Sequence, residues 1–147
     1  MVHVLLFYKY VDIKNPFEFV EKHLKFCKKL GVLGKVLVAK EGINGSISGT
    51  KEQVETYKNE LRKDLRFFDI VFKEDVGLEH PFTKMQVRLK NEIVNLGKEV
   101  DMNRRGEYIE TEEFLRLYDS AGNLREDVII LDARNDYEFK VGRFKDA

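Results

Sequence analysis

The stretch KVLVAKEGINGSISG at residues 35–49 carries the reading of the fold. Its first half, KVLVAK, is β-branched and apolar and predicts a strand over 35–40. Glu41-Gly42-Ile43-Asn44-Gly45 then predicts a turn, because Asn-Gly tolerates the positive φ that tight hairpins demand. Ser46-Ile47-Ser48 predicts a short returning strand. The segment therefore reads as a hairpin spanning 34–49.

Working outward, VHVLLFYKYV at 2–11 predicts a buried strand. Asn15-Pro16-Phe17-Glu18 opens a helix: Asn15 caps it, Pro16 suits its first position and Glu18 closes a capping box. Phe17, Val20, Leu24 and Cys27 recur at spacings of three and four, and Phe19, His23, Phe26 and Leu30 widen that stripe. Lys28 and Lys29 favour the last turn and Gly31 ends it. Beyond the hairpin, Thr50 and Gln53 form a second capping box, and Val54, Tyr57 and Leu61 mark a second amphipathic helix. FFDIVFK at 67–73 predicts a fourth strand. The order β-α-β-β-α-β is that of the ferredoxin-like α+β fold: four antiparallel strands with two helices on one face.

Residues 84–96 add an expected extra strand, with Met85, Val87 and Leu89 alternating. Domain one is thus expected over 1–98, a charged linker over 99–106, and a second unit over 107–147. In that unit Thr111 opens a helix with Phe114, Leu117 and Tyr118 on its inner side. VIIL at 128–131 predicts a parallel strand buried on both faces. Sixteen further residues cannot supply its neighbours, so the second domain is expected to be incomplete. It should be poorly packed in a monomer, or stabilised by a second copy through dimerisation or domain swapping.

Of the 147 residues, 43% are hydrophobic and 35% charged, which suits a packed and well-solvated chain rather than a disordered one. The single cysteine excludes an intramolecular disulfide and a multi-cysteine zinc site. No run approaches a membrane span, and the N-terminus lacks the basic region of a secretory signal, so a cytoplasmic location is expected. Net charge is zero but uneven: residues 1–40 carry eight Lys against three acids, and 99–147 carry eight Lys/Arg against thirteen acids. The basic first third reads either as a phosphate-binding face or as a solvated helix face.

Three segments carry a family resemblance: FYKYV at 7–11 followed by Asn15-Pro16, AKEGINGSISG at 39–49, and LDARNDYEFKVGRFKDA at 131–147. Val87, Glu92, Ile93, Val94 and Gly97 add a V-x-x-x-x-EIV-x-x-G pattern. In order and spacing they resemble the rhodanese-domain tRNA uridine 5-hydroxylase family. The resemblance implies an acylphosphatase-like first domain followed by the truncated start of a rhodanese-like α/β domain. It also implies oxygen-dependent hydroxylation of a tRNA wobble uridine at carbon 5. The family's Cys-Thr-Gly-Gly-Ile-Arg-Cys loop has no match here, so no residue receives a catalytic role and the stretch alone is expected to be inactive.

Lys40, Glu41, Gly42, Asn44 and Gly45 read either as a hairpin that needs its glycines or as a backbone that approaches a phosphate or base. Lys84 and Arg88, with Lys90, read as the solvent face of an edge strand or as a phosphate track. Arg134, which with Asp132 sits just past the 128–131 strand, reads as a structural ion pair with Glu138 or an acid elsewhere, or as part of an active-site face. Given the resemblance, Lys40, Glu41, Gly42, Asn44, Gly45, Lys84, Arg88 and Arg134 are the candidate substrate-binding residues, with tRNA as the expected partner. His3, His23 and His80 show no metal spacing, Cys27 reads as a core residue, and the cofactor stays open. A sulfurtransferase and a non-enzymatic RNA- or protein-binding module are the rival functions.

Overall fold

In a computed structural model the described residues are 1–94, 97 and 106–147. They divide into two compact units, Met1–Lys98 and Glu99–Ala147. The first begins with β1 (Val2–Tyr10), whose odd positions Leu5 and Phe7 are buried while Leu6 and Tyr8 are about half exposed. The run is thus a half-buried strand rather than the fully buried one its composition suggested. Such alternation is what a sheet covered on one face requires.

Helix α1 (Pro16–Leu30) forms where its caps place it: the Glu18 N–H donates to Asn15 Oδ1, and Gly31 ends the helix at φ +80°. Its inner face centres on His23 and Cys27, whereas Phe17, expected on the stripe, is exposed. Helix α2 (Lys51–Arg62) starts on the complete Thr50/Gln53 capping box and buries Val54, Tyr57 and Leu61. Between the helices run β2 (Leu33–Ala39) and β3 (Gly42–Gly49), joined by the two residues Lys40 and Glu41. With β4 (Phe72–Gly77) and β5 (Met85–Leu89) they make a five-stranded sheet of order β4-β1-β3-β2-β5. The first four strands are antiparallel neighbours, the ferredoxin-like arrangement; β5 adds in parallel to β2.

Two expectations shift. The fourth strand does not occupy 67–73. Residues 64–70 instead make successive tight turns, with Phe67 N–H donating to the Asp64 carbonyl and Ile70 N–H to that of Phe67. Those turns drive Phe67 and Ile70 into the core three residues apart and leave Phe68 and Val71 exposed. The strand proper, FKEDVG, is charged because it forms an edge, where charge deters further pairing. Likewise the extra strand is only Met85–Leu89; 90–94 leave the sheet, and 95–96 lie outside the described residues, as do 99–105 of the expected linker.

The core lies between the sheet and the two helices. Tyr57 and His23 sit at its centre, sharing a hydrogen bond of 2.9 Å between the hydroxyl and Nε2, and His23 stacks on Phe19. Burial presses the His23 pKa from 6.5 to about 4, and it pushes the Cys27 thiol up to about 12. Cys27 is therefore a packed thiol rather than a thiolate.

In the second unit, α3 (Thr111–Leu115) and α4 (Asp136–Val141) are short, and none of residues 106–147 is buried. Phe114 packs on Phe144 at 4.5 Å between ring centroids. Residues 128–131 are not the expected buried parallel strand: they are unpaired, with Ile129 and Leu131 almost fully exposed. A strand needs neighbours for its N–H and C=O groups, and this unit's described residues provide none.

Two outcomes follow from this core. The unfolded chain binds a proton at His23 below pH 6.5 that the folded chain refuses until about 4, so stability is lost as pH falls through that window. Urea midpoints at pH 7 and pH 4.5 should differ by up to roughly 3 kcal/mol in unfolding free energy, and His23→Gln should flatten that difference. Separately, a Cβ at Gly42 would lie 2.0 Å from the Lys9 carbonyl oxygen. Gly42→Ala should therefore cost at least about 2 kcal/mol in denaturation, far more than the same change at an open glycine such as Gly106.

Candidate functional site

The 39–49 motif is where the candidate residues concentrate, and the sheet register determines what each does. Ala39 pairs with Gly42, so the turn is Lys40-Glu41 alone. Asn44 and Gly45 stand inside β3, opposite Tyr8 and Phe7 of β1, rather than in a turn. The glycines answer to strand packing. Gly42, at φ +146°, lies against the Lys9 backbone, and a Cβ on Gly45 would strike the Phe7 ring at 2.6 Å. Their close approach within the structure is to β1.

Glu41 and Asn44 converge on one residue. The Ile93 N–H donates to Glu41 Oε1 at 2.6 Å, and Asn44 Nδ2 donates to the Ile93 carbonyl at 3.4 Å. Ile93 is buried, so the chain leaving β5 is clasped on both its donor and its acceptor. Burial, then the charges of Glu41 and Glu92, raise the pKa of the nearby Tyr10 phenol. Both side chains thus serve to hold residues 92–94 in place.

Lys40 is different. Its carbonyl accepts the Ile13 N–H at 2.8 Å, while its side chain is exposed with no ion-pair partner among the described residues. Lys84 precedes β5, its carbonyl accepting from Gly34 N–H at 3.1 Å, and Arg88 stands within β5; both are exposed. The strand is an edge, as one of the two sequence readings had it.

In the second unit Arg134 makes a bidentate pair with Asp132, at 2.9 Å from Nε and 2.6 Å from Nη2, and Nη2 also donates to the Gly142 carbonyl at 2.7 Å. The guanidinium holds the Asp132 carboxyl down to about 2. The pair closes a loop onto the end of α4, so the structural reading describes its geometry. Glu138, the partner named for Arg134 from the sequence, instead accepts from Asn135 Nδ2 at 2.6 Å.

Sequence reading passed over Tyr8, Lys35 and Lys73. Tyr8 was hidden inside a run read as buried, and the two lysines gain a common face only through the sheet register. Among the described residues no cluster of His, Cys, Asp or Glu is arranged to hold a metal ion, and no helix is long and apolar enough to cross a membrane.

Comparison with known proteins places this geometry. Curated relatives from Bacillus licheniformis and Bacillus mycoides (strain KBAB4), each named tRNA uridine(34) hydroxylase, are both 50% identical over 98% of this chain. The chain spans 44% of the length of each. Among solved structures, BlrP1 BLUF superposes with a TM-score of 0.51 at 21% identity, over 60% of this chain and 64% of that one. The dark-state structure of the BLUF protein BlrB gives 0.51 at 15% identity, over 60% and 70%. At such identities the likeness is one of fold. Residues 2–93 match the family described as the UPF0176 acylphosphatase like domain, and the chain belongs to that family.

Proposed function

We propose that this chain is the N-terminal part of an oxygen-dependent tRNA wobble-uridine 5-hydroxylase, with its first unit helping to hold the tRNA. The observation that carries the reading is the 50% identity, along 98% of the chain, to relatives named tRNA uridine(34) hydroxylase. Nothing in the chain's described residues resembles a reaction centre: Cys27 is packed and protonated, and the Asp132–Arg134 pair is engaged with itself. The chemistry is therefore assigned to sequence beyond this stretch, and the stretch alone to a supporting role without activity. A tRNA substrate implies a cytoplasmic setting.

Glu99–Ala147 is read as the start of a rhodanese-like domain. Its exposed Ile129 and Leu131 require cover, either from the remainder of a longer chain or from a second copy through dimerisation or strand exchange. Lys40, exposed on its two-residue turn, is the cation of the motif that remains available to a phosphate. Glu41, Gly42, Asn44 and Gly45 support this turn rather than touch the substrate. Lys84 and Arg88 extend the positive charge along the β5 edge, and Arg134 organises its own loop.

Two measurements test the reading. Mass spectrometry of tRNA from cells lacking the full-length gene should show loss of 5-hydroxyuridine at the wobble position; an unchanged level, with no redundant route operating, overturns the enzyme assignment. Titration of the 147-residue chain with tRNA should give binding that weakens steeply with salt, because phosphate contacts release counterions. Lys40→Ala should make the slope of log affinity against log salt shallower by about one unit. An unchanged slope removes Lys40 from the interface.

A further inference from the structure

Residues 78–84 join the two edges of the sheet. Gly77 ends β4 at one edge and Met85 begins β5 at the other, so the connection passes β1, β3 and β2 on its way. It crosses at the end of the sheet where Val2 pairs with Gly77, Leu33 with Ser48 and Gly34 with Met85. The strand spacings from β4 to β5 amount to about 19 Å. The chain from Gly77 to Met85 reaches at most about 28 Å, which leaves little slack once it arches over the strands.

Ser48 marks the crossing. Ile43 and Ile47 of β3 belong to the core between sheet and helices, so by strand alternation Ser48 points to the other face. Asn44 and Ser46 on that face are half-buried, whereas Ser48 is fully buried. His80 reaches it from the connection: Ser48 Oγ and His80 Nδ1 share a hydrogen bond of 2.9 Å. Among the described residues this is the one side-chain hydrogen bond of residues 78–84, and the Lys84 carbonyl, at their end, accepts the Gly34 N–H at 3.1 Å. Phe82 is half-buried and the other residues of the connection are exposed, Leu78 at 90%. Pro81 fixes its own φ and holds His80 extended, so the middle of the segment is stiff. Gly77, free of a side chain, supplies the pivot. Beneath it β1, β3 and β2 are joined by unbroken ladders. Lifting the segment therefore costs far less than parting the strands it crosses.

We infer that residues 78–84 form a hinged strap, latched to β3 by the His80–Ser48 bond, that opens as a unit while the sheet beneath stays paired. Opening turns about Gly77, breaks the latch and the Gly34–Lys84 bond, and uncovers Ser48 at the end of β3. The strap thereby sets whether that end of the face is covered. The far end of β5, where the Lys90 N–H donates to the Val38 carbonyl at 2.8 Å, is untouched by the motion.

Hydrogen exchange on the whole 147-residue chain reads the opening at the Gly34 amide, whose acceptor sits at the end of the strap. After correction for intrinsic rates, that amide should exchange faster than those of the β1–β3 ladder. It should also be nearly insensitive to low urea, because so short an opening exposes little surface. His80→Ala and Ser48→Ala should each speed its exchange about fivefold, the worth of one net hydrogen bond. The double variant should do no more than either alone, because both remove the same bond. Cleavage after Glu79 by a glutamate-specific protease gives a second readout and should quicken by the same factor. If Gly34 exchanges only together with the β1–β3 amides, with the same steep urea dependence, the strap does not open by itself and the inference falls. It falls equally if the opening is local but neither variant changes it, or if the two variants add, since the His80–Ser48 bond is then not the latch. Should one variant fail to fold, the other variant and the urea dependence of the unaltered chain decide the matter.

Discussion

The sheet is built on the approach of β3 to β1, and that approach is possible only because two positions of β3 lack side chains. At Gly42 the Lys9 carbonyl occupies the place of a Cβ, and at Gly45 the Phe7 ring does. Phe7 in turn packs on Tyr57 and Phe72, at 5.5 and 5.4 Å between ring centroids, so the glycine at 45 is what admits the aromatic cluster joining sheet to α2. Filling either position would separate the central strands or displace a buried ring, and interiors this tightly packed do not absorb such changes without rearrangement. A motif that invites a reading as a ligand loop is thereby first a packing device.

The same stretch also directs the chain. Because Gly42 closes the turn after only two residues, Glu41 projects at the sheet's end and Asn44 from the face away from the helices. Both meet the backbone of Ile93, one accepting from it and one donating to it. The point where the first unit gives way to the connection is thus tied to the hairpin by charge-assisted and neutral hydrogen bonds, the former the stronger kind. Four of the motif's five candidates make contacts within the first unit, and Lys40 is the one whose side chain is exposed without an ion-pair partner among the described residues.

Charge is distributed with the layers. Around the helices several cations are spent locally: Lys58 bridges Glu55 and Glu74, Arg66 grips Asp64 beneath the rings of Phe19 and Phe67, and Lys9 pairs with Asp69. On the face away from the helices Lys35, Lys73 and Arg88 make no ion pair among the described residues. Surface pairs of the first kind contribute little to stability, though they cancel field locally.

Sequence alone determined the two helices of the first unit and the order of its elements, because capping boxes and the helical period are local chemistry: Asn15 with Glu18 and Thr50 with Gln53 act within one turn. The strands are where locality failed. Asn44-Gly45 carries a strong turn signal, yet it pairs as strand, since its glycine serves a ring from another strand. FFDIVFK is apolar enough for a strand, yet Phe67 and Ile70 plug the core from turns, and the charged residues after them form the edge. VIIL at 128–131 has a strand's composition but no neighbour to hydrogen-bond. Which residues share the face away from the helices was likewise undecided until register aligned Lys73 with Lys35 and Tyr8 with Arg88, because pairing between distant strands is a property of the assembled sheet and leaves no mark on any one segment.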